Sequence, residues 1–290
     1  MAFIELTNLT KTFGKISALD DVNLQIEGGE IFGFLGPNGA GKSTAIRCMM
    51  GFLYPDRGSI EIDGSKVERS TTKYLEKVGY VSSDLELNEK WTGNEHINFL
   101  MKARNLQNYP SDLIDRLGLK VDENTKNLSS GNKQKLAFIL ALMHKPSLLL
   151  LDEPTKGLDP LLQEEIYKIL IEFKNSGGCV FFSSHNLAEV ERVCDRVGII
   201  RKGKIVANET MDTLQHKHIH IINVVFVEGI EIPNLSSFGI IDQKSSTEVA
   251  VRVEGDINPI LKILSQYKLS DIKIDHASLE DTFLHFYEEN

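Results

Sequence analysis

The chain is poor in the residues that mark several classes of protein. Its 290 residues include three cysteines, one tryptophan and eight prolines. Cys48, Cys179 and Cys194 are odd in number, scattered and without the spacing of a metal site. That predicts reduced thiols in a cytosolic protein, not a disulfide framework or structural zinc. No apolar run is long enough to cross a bilayer, and the amino terminus lacks the basic-plus-apolar pattern of a signal. A membrane link is therefore expected only through a partner. There is no basic block either, and a net charge of −9 argues against a nucleic-acid backbone as ligand. What is present is 41% hydrophobic content, enough for a real core in one large domain or in one plus a small one.

The most informative stretch is Gly36-Pro37-Asn38-Gly39-Ala40-Gly41-Lys42-Ser43-Thr44. It follows the apolar strand pattern of Ile31-Phe32-Gly33-Phe34-Leu35 and runs into a helix pattern from Ala45 to Met50. Glycines there permit positive φ and close backbone approach, so that successive N–H groups and a helix N-terminus converge on one anion. This is a phosphate cradle, and it predicts nucleotide binding. Lys42 is placed to reach the β- and γ-phosphates, and the Ser43 hydroxyl to hold Mg²⁺.

Ser147 to Glu153 reads as a central parallel strand ending in two carboxylates, and ligands of open α/β sheets bind at such strand ends. Asp152 suits the Mg²⁺ shell. Glu153 is the candidate general base, with a capping or solvated carboxylate as the alternative. Gly178 to His185 repeats the pattern; His185 is placed either to reach a γ-phosphate or to cap the helix that Asn186 opens. Phe13, expected on a turn between two half-buried strands of an antiparallel layer (Ala2 to Leu6 and Val22 to Ile26), is either a base-stacking ring or a core aromatic. Between Leu85 and His144 the period becomes helical, an insertion in the α/β core.

Beyond about Leu214 the composition changes. His216, His218 and His220 alternate as on a strand face, but one strand supplies no fixed tetrahedral set for a metal. Strands are expected at Ile221 to Val227, Glu248 to Val253 and Ser270 to Ile274, with helices at Pro259 to Tyr267 and from Ser278. Nothing in this small α+β region looks catalytic.

The phosphate loop, Leu128-Ser129-Ser130-Gly131-Asn132-Lys133-Gln134, the strand ending Asp152-Glu153-Pro154, Thr155-Lys156-Gly157-Leu158-Asp159 and His185 together resemble the nucleotide-binding subunit of an ABC transporter, over residues 1 to about 214. The resemblance implies a phosphate-loop NTPase cassette: a parallel core sheet, an antiparallel β layer and a helical insertion at about 85–145, with an α+β accessory domain at 215–290. It implies ATP with Mg²⁺, Phe13 stacked on adenine, Ser129, Gly131 and Asn132 in the signature, Thr155 to Asp159 in the loop after the acidic strand, and His185 as the switch histidine. It also implies two cassettes paired head-to-tail, each offering its signature to the other's ATP, and a separate transmembrane permease at the cytoplasmic face of the cell membrane. The phrase Ser278-Leu279-Glu280-Asp281-Thr282-Phe283-Leu284, with Thr92 to His96, resembles cassettes serving ABC-2-type export permeases.

Three positions depart from the family pattern. Ser83 aligns with a metal-sensing glutamine, with Asp84 the nearest longer oxygen ligand; Ser130 replaces a glycine; Lys156 replaces a small polar residue. Two other functions compete. A ribosome- or chromosome-associated protein of this family would carry two cassettes or a coiled-coil insertion, and neither is present. An ATP-binding switch with little hydrolysis is opposed by Glu153 and His185 and favoured by the altered Ser83 region.

Overall fold

In the computed structural model, residues 2–216, 219–230 and 232–276 are described. The chain divides into two compact units, Met1–Glu209 and Thr210–Asn290.

The first unit opens with β1 (Ile4–Phe13), β2 (Ile16–Ile26), β3 (Ile31–Leu35), α1 (Lys42–Met49), β4 (Arg57–Ile62), β5 (Ser65–Lys66) and β6 (Val78–Val81). The helical insertion follows as α2 (Gly93–Ala103), α3 (Ser111–Leu117) and α4 (Ser130–Leu142). The core resumes with β7 (Leu148–Asp152), α5 (Pro160–Asn175), β8 (Cys179–Ser184), α6 (Leu187–Val193), β9 (Arg196–Arg201) and β10 (Lys204–Thr210). Strands β2-β1-β4-β5 form an antiparallel sheet, while β10-β9-β3-β8-β7-β6 form a second sheet. In the latter, β3, β6, β7, β8 and β9 pair in parallel.

The two sheets share one core. Ile4, Leu6, Leu24, Ile26, Ile60 and Ile62 from the antiparallel layer meet Phe32, Phe34, Leu148, Leu150 and Phe181 of the parallel sheet, with Ala45, Ile46 and Met49 of α1 in the same cluster. β3, β7 and β8 are buried along their whole length, as strands covered on both faces must be. Helix α4 comes so close to β6 that a Cβ at Gly79 would stand 2.2 Å from the Ala141 carbonyl oxygen, so only glycine fits there. Cys48, Cys179 and Cys194 are free and buried, and burial pushes the Cys48 thiol up to about 11 and Cys179 up to about 12, which leaves them inert.

β1 and β2 are longer than the alternation suggests. Register shifts between Leu6 and Leu9 and between Leu9 and Lys11, with Asn8 and Asp21 at positive φ, break the period of two that marks a half-buried strand.

The second unit holds α7 (Met211–His216), β11 (Ile219–Phe226), β12 (Ile240–Gln243), β13 (Glu248–Glu254), α8 (Asn258–Leu264) and β14 (Leu269–His276). Its antiparallel sheet has the order β12-β13-β11-β14, and one face packs Ile222, Val224, Phe226, Val249, Val251 and Val253 against Ile260 and Leu264 of α8. β12 has no counterpart in the sequence reading, because all four of its residues are exposed and carry no alternation. His216 closes α7 whereas His220 lies in β11, so the three alternating histidines do not share a strand; His218 and the expected helix from Ser278, with its motif to Leu284, lie outside the described residues.

Candidate active site

The phosphate loop connects β3 to α1. Gly41 precedes the helix with φ 117°, in the region only glycine tolerates well, and a Cβ there would meet the Ala18 carbonyl oxygen at 2.3 Å. Pro37, Asn38 and Gly39 are exposed, while Gly36, Ala40 and Lys42 are buried. Ser43 and Thr44 follow Lys42 in the first turn of α1, where N–H groups without helical partners point outward. Lys42 Nζ donates to the carbonyls of Gly36 at 2.7 Å and Pro37 at 3.1 Å, and lies 3.5 Å from Glu153 Oε1. Burial pushes its pKa down, and the neighbouring carboxylates, Glu153 before Asp152, push it back up.

Asp152 ends β7 almost fully buried, at 2% exposure. Ser183 of β8, its partner across the ladder, donates to Oδ1 at 2.7 Å, and Ser83 donates to Oδ2 at 3.1 Å. The next residue, Glu153, has φ 47°, an uncommon left-handed setting for a non-glycine that aims its side chain at the loop. Its amide donates to Ser183, to the carbonyl at 3.1 Å and to Oγ at 3.2 Å. Around its carboxylate stand Lys42, His185 Nδ1 at 3.1 Å and Lys156 Nζ at 3.7 Å. Glu153 is therefore neither a helix cap nor a solvated acid. His185 is not a cap either, since the Asn186 side chain takes that part for α6, accepting from the Ala188 amide at 3.0 Å.

Ser83 thus faces Asp152, while Asp84 is turned to solvent beside Arg47 at 3.9 Å. Phe13, at the tip of β1, is 47% exposed, so it is not a core aromatic. Ser129 is the N-cap of α4 and accepts from the Asn132 amide, which leaves Gly131 and Asn132 in the helix's first turn. Asp159 caps α5 in the same way, accepting from the Leu162 amide at 3.0 Å.

Two functional neighbours escaped the sequence reading. Ser183 had only its place at a strand end to signal it. Gln134, inside the signature stretch, donates to the carbonyl of Pro154 at 2.7 Å and so ties α4 to the residue after Glu153; its spacing from the signature serine gives no hint of that reach.

A parallel sheet carrying a glycine-rich loop between strand and helix, a buried lysine at the start of that helix and an aspartate at the end of the strand two places along the sheet defines a phosphate-loop NTPase. The comparisons narrow the class: the chain belongs to the ABC transporter family, whose pattern its residues 19–156 match. It is 32% identical over 295 residues to the uncharacterized ABC transporter ATP-binding protein YhcH of Bacillus subtilis, covering 97% of this chain and 94% of that one. It is 36% identical over 224 residues to the bacitracin transport ATP-binding protein BcrA of Bacillus licheniformis, covering 74% and 72%. Among solved structures, the dimeric post-hydrolysis state of the ATP-binding cassette MJ0796 bound to ADP and Pi superposes with a TM-score of 0.64 at 25% identity, over 72% of this chain and 98% of that one. The protein is an ATP-binding subunit of an ABC transporter, an ATPase of a family whose subunits dimerise and pair with transmembrane permeases.

Ser183→Ala removes one of the two hydroxyls on a buried carboxylate and leaves Asp152 Oδ1 without its donor. Loss of about 1–3 kcal/mol is expected in urea unfolding followed by Trp91 fluorescence, the penalty of one unsatisfied buried acceptor. Wild-type stability in this variant would contradict the assignment.

Proposed function

We propose that this cassette hydrolyses ATP with Glu153 as general base, inside a head-to-tail pair of cassettes. The observation that carries the reading is the convergence of Lys42, Asp152, Glu153 and His185 at the carboxyl ends of β3, β7 and β8. ATP phosphates on the loop amides from Asn38 to Thr44 would draw Lys42 away from the Gly36 and Pro37 carbonyls toward the β- and γ-oxygens. Glu153 then accepts a proton from the attacking water as the bond from the γ-phosphorus to the bridging oxygen breaks, giving ADP and phosphate. His185, close to Glu153, holds the γ-phosphate side. Phe13 stacks on adenine, and Ser129, Gly131 and Asn132 present their helix N-terminus to the ATP of the second cassette, with Asp159 at that junction.

The donors fit Mg²⁺: a serine hydroxyl on the loop, a buried carboxylate, and hydroxyls in place of the nitrogen and sulfur ligands of softer metals. Ser43 and Asp152 would hold it, Ser83 through water, and it would supply charge neutralisation of the phosphates. Among the described residues no helix is long and apolar enough to span a membrane. A separate permease, met at the cytoplasmic face, completes the transporter; the resemblance to cassettes serving ABC-2-type export permeases favours export, beside a relative named for bacitracin transport. The second unit is read as an accessory domain.

Lys42→Ala is expected to lose ATP affinity, while Glu153→Gln keeps binding and loses steady-state turnover by roughly 10²- to 10⁴-fold, the usual share of a general base. Turnover unchanged in Glu153→Gln would remove that residue from the chemistry, and the binding-switch reading would stand. At the departure from the family pattern, Ser83→Gln should leave ATP affinity intact and raise hydrolysis by the isolated subunit, because a direct oxygen ligand replaces water. Asp84→Asn should change little. Strong loss of Mg²⁺-dependent activity in Asp84→Asn, with Ser83→Gln silent, would make Asp84 the ligand.

A further inference from the structure

β1 runs three residues past the start of its partner β4, since Thr10 pairs with Arg57, the first residue of that strand. On that side Lys11, Thr12 and Phe13 have no ladder partner. An edge of this kind carries open N–H groups and frays. Here the Asp56 side chain takes the place of the missing strand. One carboxylate oxygen accepts from the Thr12 amide and from the Thr12 hydroxyl, each at 2.7 Å, and the other from Lys11 Nζ at 3.0 Å. The Asp56 amide in turn donates to the Thr10 carbonyl at 2.8 Å. The Lys11 ammonium so held stands 5.7 Å from the centroid of the Phe13 ring. The Thr12 hydroxyl, the Lys11 ammonium and the Thr12 amide keep the Asp56 carboxyl at about 2, so the clamp is charged at every physiological pH.

Asp56 also belongs to the other end of the nucleotide site. It lies seven residues beyond the end of α1, and the intervening turn is fastened to that helix by the Phe52 and Leu53 amides, which donate to the Arg47 carbonyl at 2.9 and 3.1 Å. Pro55 stiffens the last step into Asp56. The helix that begins with Lys42 and the strand end that carries Phe13 are thus joined by a short hydrogen-bonded path. A ligand with a base at one end and phosphates at the other needs those two features at a fixed separation.

We propose that Asp56 is a positioning residue for nucleotide binding, setting the Phe13 edge against the phosphate-loop helix. The proposal rests on the reading of Phe13 as the base-stacking ring. It predicts that Asp56 acts only on ligands that carry a base, and only through Phe13. In the full-length chain, ATP and inorganic tripolyphosphate are titrated calorimetrically against Phe13→Ala, Asp56→Ala, the double variant and the shape-preserving Asp56→Asn. Phe13→Ala and Asp56→Ala should each weaken ATP roughly three- to tenfold, the worth of one stacked pair. The double variant should be no weaker than either alone, since residues acting as a unit do not add. Asp56→Asn should weaken ATP by a smaller factor, and tripolyphosphate should bind all four variants as it binds the wild type. ATP affinity unchanged in Asp56→Ala and Asp56→Asn, with Phe13→Ala weakened, overturns the clamp and spares the stacking. Equal weakening of tripolyphosphate overturns it by making Asp56 a support of the fold or loop. Wild-type affinity in Phe13→Ala overturns the stacking itself, and the inference with it.

Discussion

A lysine buried to 5% exposure must keep its charge balanced, and Lys42 does so with two loop carbonyls and the Glu153 carboxylate. Most of the cassette's architecture serves that balance. β3 brings the loop, α1 begins with the lysine, β7 ends in Asp152 with Glu153 just beyond it, and β8 supplies Ser183 with His185 just beyond its end. Removing one member of a buried pair costs roughly 3–5 kcal/mol because the other charge is left uncompensated. A phosphate group on the loop would take the place of the two carbonyls as acceptor for Lys42 and keep its charge compensated. In the proposed mechanism the same exchange would release Glu153 from the lysine for work on water, linking binding to readiness for chemistry through one ammonium group.

Polar side chains tie the helical insertion to the rest of the cassette at several points. Arg116 of α3 is paired with Glu165 and Glu172 of α5, and those hydrogen bonds push its pKa well above the usual guanidinium value. Arg104 donates to the carbonyls of Leu75 and Glu76. Gln134 ties α4 to the segment that follows Glu153 through the Pro154 carbonyl. Apolar packing backs these polar contacts: Leu136, Phe138 and Ile139 of α4 are fully buried, and Gly79 lets the helix backbone come close to β6.

The legible parts of this structure are those whose geometry is local. A strand, a glycine turn and a helix in succession specify the phosphate loop without help from the rest of the chain, and an apolar run that stops at two acids specifies the end of β7. Ser129 and Asp159 were legible as residues of two family stretches, and each proves to be an N-cap, a role set by the three residues that follow it. Contacts across the sheet were not legible. Ser183 meets Asp152 only because β7 and β8 pair in a particular register, and Asp56 meets Thr12 only because β1 outruns β4. Where alternation was interrupted, by bulges in β1 and β2 or by full exposure in β12, the strand signal failed although the strand formed, because pairing tolerates what the period of two does not.

In the proposed cycle ATP closes two cassettes on each other, and cleavage through Glu153 lets them part. Sedimentation of Glu153→Gln with Mg²⁺ and either ATP or ADP tests it most directly. A stable dimer with ATP and a monomer with ADP is the predicted result; a monomer with both nucleotides at every protein concentration would contradict it.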